Sequence, residues 1–145
     1  MLTIATIGTS VITRSFADAV SRVPDVQIGS VYSRDAARAA AFAAELGVAD
    51  SESDLAALLA DPAIDAIYVA SPNSVHAAQA AQALRAGKHV IVEKPAVTEI
   101  DDWDELVALS KQHGVVLLEA IRTRLDPRLA AVRDVLPQLG QLRRV

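Results

Sequence analysis

Apolar runs rich in valine and isoleucine recur along this chain, and each gap between them is long enough for one helix. That alternation restricts the possible folds more than any other feature. The runs are "TIATIG" (3–8), "VQIGSVYS" (26–33), "IDAIYVA" (64–70), "HVIVE" (89–93) and "VVLLEA" (115–120). They are nearly continuous rather than alternating, as strands buried on both faces of a parallel sheet are. Helical segments are expected at 11–23, 35–47, 53–60, 74–87, 100–114 and 126–140. Pro24, Gly47 and Asp61-Pro62 act as stop signals, and Asp35 marks a start. "VADS" (48–51) reads as a plain connector. Strands separated by helices imply βαβ units, and right-handed crossovers make the fold class α/β with a doubly wound parallel sheet.

Composition agrees with this layout. Hydrophobic residues make up 52% of the chain but aromatics only 3%. Alanine supplies much of the balance, and its small side chain lets helices lie close on a sheet. The 145 residues suit one domain with a real core. A formal charge of -4 leaves no basic footprint for nucleic acid. There is no cysteine, which removes disulfides, thiolate metal sites and a cysteine nucleophile. No apolar run approaches the roughly 18 residues of a membrane helix. The chain enters a strand at once, without a charged leader region, so a soluble cytoplasmic protein without membrane partners is expected. After Gly140, "QLRRV" reads as the start of a further strand, as if a longer protein were cut there.

In such a sheet, ligands sit beyond the carboxyl ends of the strands. The first strand runs into "GTSVIT" (8–13), where a dinucleotide fold places G-x-G-x-x-G. Only Gly8 keeps a glycine position; Ser10 and Thr13 replace the others. Gly8 permits the tight turn and Ser10 is small enough for a pyrophosphate to approach. The following helix start supplies N–H groups, to which Thr9, Ser10 and Thr13 add hydroxyls. The same residues would also serve an ordinary strand–turn–helix with capping hydroxyls.

The second strand ends in Tyr32, Ser33 and Arg34, with Asp35 one step later. An arginine there suits a 2′-phosphate or stacks on adenine, which favours NADP over NAD; it equally suits a solvated side chain near a helix start. The fourth run exits through Ser71, Pro72, Asn73, Ser74 and His76. Asn73 and Ser74 are expected to cap the next helix. Asn73 and His76 either face a ribose or nicotinamide, or His76 is structural. The fifth run ends in Glu93, Lys94 and Pro95. Buried charges are costly unless paired or facing a polar cleft. Neighbours on a strand point to opposite faces, so the two charges serve separate clients, unless they form only a surface ion pair. Lys94 is the catalytic candidate, able to hydrogen-bond a substrate hydroxyl or carbonyl.

Together, "IGTS", "VYSRDAARAAAFAAELG", "DAIYVASPNSVHAAQAAQALRAGKHVIVEKPAV" and "LLEAIRTRLDP" resemble the Gfo/Idh/MocA family of glucose-fructose oxidoreductase, inositol dehydrogenase and rhizopine-catabolism proteins. The resemblance implies an NAD(P)-binding Rossmann domain over 1–121. Residues 122–145 would be a linking helix and the start of a second, substrate and dimerisation domain that is missing here. It implies hydride transfer between a nicotinamide cofactor and a sugar- or polyol-like substrate. Lys94 would lie at nicotinamide and substrate, Glu93 at the nicotinamide ribose, and the Lys94–Pro95 peptide would be cis. Pro72, Asn73 and His76 match the family's residues after strand four. Val11, Ile12, Ser71 and Arg122 complete the expected cofactor wall. The glycine fingerprint departs from the usual form, and the absent domain would carry the partners of Lys94. Alternatives are an NAD(P)-sensing module without chemistry or an inactive fragment. Apolar surface left by the absent domain would favour a homo-oligomer.

Overall fold

A computed structural model describes residues 1–141, apart from the side chains of Leu125 and Leu139. The elements in chain order are β1 (Leu2–Ile7), α1 (Val11–Val20), β2 (Val26–Tyr32), α2 (Ala36–Leu46), β3 (Asp50–Glu52), α3 (Leu55–Ala60), β4 (Ala66–Val69), α4 (His76–Arg85), β5 (His89–Val92), α5 (Ile100–His113), β6 (Leu117–Glu119), α6 (Arg122–Leu125) and α7 (Pro127–Val135). The strands form one sheet in the order β3-β2-β1-β4-β5-β6. Every pairing is parallel. Strand order reverses between β1 and β4, so their carboxyl ends diverge into a crevice.

Two apolar layers flank the sheet. On one side, Ala5, Ile7, Ile67, Val69, Val90 and Val92 pack on Leu58 and Leu59 of α3, Ala80 and Leu84 of α4, and Leu106 of α5. On the other, Ile4, Ala66, Tyr68 and Ala70 meet Val20 and Phe16 of α1, while Val31 meets Phe42 and Ala43 of α2. Burying each Val, Leu or Ile of these layers contributes roughly 1.5–3 kcal/mol. Arg14 forks onto Glu45 and ties α1 to α2.

Local chemistry sets several boundaries. Asp35 accepts from the Arg38 N–H at the start of α2, and Gly47 closes that helix in a left-handed conformation. Asp54 caps α3 in the same manner. The pairing of β1 with β2 shifts register between Ile4 and Ala5, leaving Gly29 as the extra residue of a bulge. A Cβ at Gly29 would stand 2.4 Å from Cγ2 of Thr3, so a larger residue there would require the Thr3 side chain to move.

Several expected boundaries are corrected. The connector at 48–51 contains the start of β3, which pairs with Ser30, Val31 and Tyr32 of β2. The first helix ends at Val20 rather than 23. The expected helix 74–87 begins as a 3-10 turn, Asn73–Val75, before α4. Neither Asn73 nor Ser74 caps α4, whose N-terminal flank is Val75 without a side-chain bond. The expected helix 126–140 is α7 followed by a 3-10 turn, Leu136–Leu139, and α6 precedes it. Val132, Val135 and Leu136 are exposed, as are Leu118 and Ile121. Of "QLRRV", only Gln141 falls within the described residues. No described helix is long and apolar enough to cross a membrane.

The sheet end opposite the crevice is locked by Lys88, which is only 8% exposed. Its Nζ donates to the carbonyls of Asp61 and Ile64, both at 2.7 Å. A methionine of similar length would leave both carbonyls without that donor. Lys88→Met should therefore cost about 2 kcal/mol in urea denaturation; a loss below about 0.5 kcal/mol would show that this lock contributes little.

Candidate functional site

A cavity of about 590 Å³ opens at the carboxyl ends of the central strands. Its walls come from five places in the chain: Gly8, Thr9, Ser10 and Ile12 after β1; Tyr32, Ser33, Arg34 and Arg38 after β2; Ser71, Pro72, Asn73, His76 and Gln79 after β4; Glu93 and Lys94 after β5; and Arg122 after β6. Of the residues expected there, Val11 and Thr13 are not in the wall: Val11 is 72% exposed at the start of α1, and Thr13 is fully buried behind it.

The β1–α1 turn has the form of an anion cradle. Gly8 has φ of +113°, which side-chain-bearing residues rarely adopt. A Cβ at Gly8 would lie 2.4 Å from the carbonyl oxygen of Ala70. The turn can therefore sit against the tip of β4 only as glycine. Ser10 flanks α1 without a side-chain cap; its hydroxyl lies 3.4 Å from that of Thr13 instead. The first-turn N–H groups of α1, which no helix satisfies internally, thus point to the crevice with the positive end of the helix dipole.

At the β2 tip the charge is positive. Arg34 and Arg38 both line the cavity. Asp35 does not; its carboxylate is turned to the start of α2, accepting from the Arg38 N–H at 3.1 Å. Sequence reasoning missed Arg38, although its position one helical turn beyond Arg34 was the available signal.

The β4 exit is organised by His76, which is 1% exposed. Its Nδ1 lies 2.9 Å from the Pro95 carbonyl and its Nε2 lies 2.8 Å from the Ser71 carbonyl. Both nitrogens are thus engaged by backbone, and the ring bridges the exits of β4 and β5. Its geometry is that of a structural clasp with one edge in the cavity wall. Ser71 in turn donates to Gln79 Oε1 at 2.5 Å.

At β5 the two charges separate as strand geometry requires. Lys94 is exposed toward the cavity and its ammonium makes no hydrogen bond among the described residues. Glu93 is 7% exposed. It accepts from the Tyr68 hydroxyl at 2.7 Å and from the Lys94 N–H at 3.2 Å. Burial first, and the Glu93 carboxylate second, push the Tyr68 phenol far above its ordinary pKa, so it stays protonated and donates. The Lys94–Pro95 peptide is cis. The turn beyond it is held by Glu119 of β6, whose Oε1 accepts from the Ala96 N–H at 2.9 Å. Sequence reasoning did not single out Tyr68 or Glu119.

A second cavity, about 370 Å³ and mostly apolar, lies against the α1 face of the sheet and shares Ile12, Glu93 and Arg122 with the first. No group of His, Asp and Glu suited to a metal occurs among the described residues.

These features fit a dinucleotide: a glycine-only approach, a free helix N-terminus for the pyrophosphate, and cationic and carboxylate walls on either side of it. Comparison with known proteins agrees. Residues 2–121 match the oxidoreductase family with an NAD-binding Rossmann fold, Gfo/Idh/MocA. The chain is 39% identical over 99% of its length to the scyllo-inositol 2-dehydrogenase (NADP(+)) of Bacillus subtilis, of which it covers 44%. It is 36% identical over 91% of its length to the 1,5-anhydro-D-fructose reductase of Ensifer adhaerens, covering 40% of that protein. Among solved structures, a 3-ketoreductase from Actinomadura kijaniata in complex with TDP-benzene and NADP superposes with a TM-score of 0.87 at 32% identity, over 94% of this chain and 43% of that one. The biliverdin reductase of Synechocystis, in complex with biliverdin and NADP+, superposes with a TM-score of 0.85 at 28% identity over 97% of this chain and 44% of that one. The chain therefore spans less than half the length of these relatives. It belongs to the Gfo/Idh/MocA oxidoreductase family and comprises that family's NAD-binding Rossmann domain.

Proposed function

We propose that the chain binds NADP(H), as the cofactor-holding part of an oxidoreductase acting on a sugar- or polyol-like substrate. The observation that carries the cofactor preference is the pair Arg34 and Arg38 in the cavity wall, with Asp35 turned away into a helix cap. A ribose with two free hydroxyls is usually met by a carboxylate at this place, whereas a 2′-phosphate is met by arginine. The NADP named for the Bacillus and Actinomadura relatives supports the same choice. The adenosine half then lies at the β2 tip and the pyrophosphate at the start of α1. The nicotinamide half lies across the switch point, over the tips of β4 and β5.

Bound there, the nicotinamide supplies hydride exchange with a carbon of the substrate. Lys94, exposed in the wall beside that place, is suited to polarise or protonate the substrate oxygen. The scyllo-inositol dehydrogenase and 1,5-anhydro-D-fructose reductase activities named for two relatives favour a sugar or polyol. We take residues 1–121 as the cofactor unit and 122–145 as a link toward a substrate-holding part, in a soluble cytoplasmic protein.

Titration with NADPH and NADH, followed by cofactor fluorescence, tests the reading; no change at millimolar concentrations of either would end it. Arg34→Ala should weaken NADPH roughly ten- to hundredfold, as for a lost charge-assisted bond, and leave NADH nearly unchanged. Equal losses would remove the 2′-phosphate assignment. Gly8→Ala should abolish binding of both cofactors, because the added carbon collides with the Ala70 carbonyl; retention of normal affinity would show that the approach to β4 is not needed.

A further inference from the structure

Glu93 is a difficult residue to keep at a strand tip. It is 7% exposed, and none of the ion pairs among the described residues includes it. A nearly buried carboxylate outside any direct ion pair depends on hydrogen-bond donors for its direction. The chain supplies two, the Lys94 N–H and the Tyr68 hydroxyl. The first comes from the neighbouring residue and travels with the turn. Only the second is anchored elsewhere in the fold.

That anchor is rigid. Tyr68 is 1% exposed in the centre of β4. It pairs in register with Ile91, and Ile91 and Glu93, two residues apart, share its face of the sheet. The phenol therefore reaches its carboxylate diagonally across β4 and β5. On its outer side the ring stacks flat on Phe16 of α1, with centroids 3.8 Å apart and planes 8° apart. Burial at 1% exposure and the flat stack on Phe16 hold the ring between sheet and helix. Each partner satisfies the other: a dry phenol needs an acceptor, and the carboxylate needs a donor.

Glu93 also belongs to the wall of the large cavity, whereas Tyr68 does not; Tyr68 lines only the apolar cavity behind it. We propose that Tyr68 is a positioning residue for the nicotinamide half of the site. It holds the Glu93 carboxylate in the orientation that accepts from the ribose hydroxyls next to the nicotinamide. Each carboxylate oxygen accepts more than one hydrogen bond, so capacity remains for a ribose diol after Tyr68 and Lys94 are served. The inference rests on the dinucleotide reading above, which assigns the tips of β4 and β5 to that half of the cofactor. It adds that the wall on this side is set from the α1 layer, through Phe16 and Tyr68, and not from the turn alone.

The test is isothermal titration of the chain with NADPH and with adenosine 2′,5′-bisphosphate, which lacks the nicotinamide half. Tyr68→Phe keeps the ring, its volume and its stacking partner, and removes only the donor. NADPH should bind roughly five- to tenfold more weakly, the loss that accompanies one hydrogen bond, and the bisphosphate should bind as before. In a Tyr68→Phe/Glu93→Gln double variant the NADPH loss should be no greater than in Glu93→Gln alone, because both changes act at one point. Unchanged NADPH affinity in Tyr68→Phe, or an equal loss for both ligands, would overturn the proposal; the second outcome would make Tyr68 merely structural. If the unmodified chain binds neither ligand, the dinucleotide reading fails and this inference falls with it. The unmodified chain provides a second measurement independent of the variants. The protected Tyr68 hydroxyl proton should shift in its NMR spectrum on adding NADPH and stay in place on adding the bisphosphate; the reverse or no difference counts against the proposal.

Discussion

The contact between Gly8 and the carbonyl of Ala70 governs the rest of this architecture. β1 and β4 are the two parallel strands between which the strand order reverses, and their tips must separate to leave a crevice while their bodies stay hydrogen-bonded. A side chain at residue 8 would force the β1–α1 turn away from β4, since its first carbon would lie 2.4 Å from a backbone oxygen. With glycine the turn stays low, α1 starts close to the crevice, and its unpaired N–H groups become part of the wall. The other two glycines of the usual fingerprint are replaced by Ser10 and Thr13 without losing this geometry. The first glycine is the one with a backbone partner in contact; the others mainly provide room.

From that point the site divides by charge. The β2 side offers two guanidinium groups and withdraws its carboxylate into a cap. The β5 side offers one exposed ammonium and one carboxylate that is almost buried. The wall between them has no carboxylate, guanidinium or ammonium and is clasped by His76, whose two nitrogens face backbone carbonyls of both strand exits. Rigidity here comes from groups that bind backbone or each other, and the groups left open are those facing the cavity. A cofactor site of this kind is held by its surroundings before any ligand arrives.

Much of the fold was legible because its signals are local. Five strands declared themselves as Val and Ile runs, and Gly47 and Asp35 marked the ends of α2. β3 was not legible: Asp50–Glu52 is short and polar, and it is a strand because β2 offers it an edge. The 3-10 turn before α4 displaced the cap expected from Asn73 and Ser74. In the site, residues adjacent to a strand tip could be read from the chain. Those whose role depends on another strand could not: Tyr68 meets Glu93 across 25 residues of sequence, and Glu119 meets the Ala96 N–H across 23. The sequence leaves His76 open to a ligand contact or a structural role, and only the positions of two carbonyls distinguish them.

The central claim is that a nicotinamide dinucleotide lies across the switch point, and amide chemical-shift mapping of the isotopically labelled chain with NADPH tests it most directly. The account predicts that the largest shifts fall at Gly8 to Ile12, at Ser33 and Arg34, at Asn73, and at Glu93 and Lys94, with little change at α3 and at the Lys88 end of the sheet. Shifts centred on α3 or α5, or none at saturating NADPH, would contradict it.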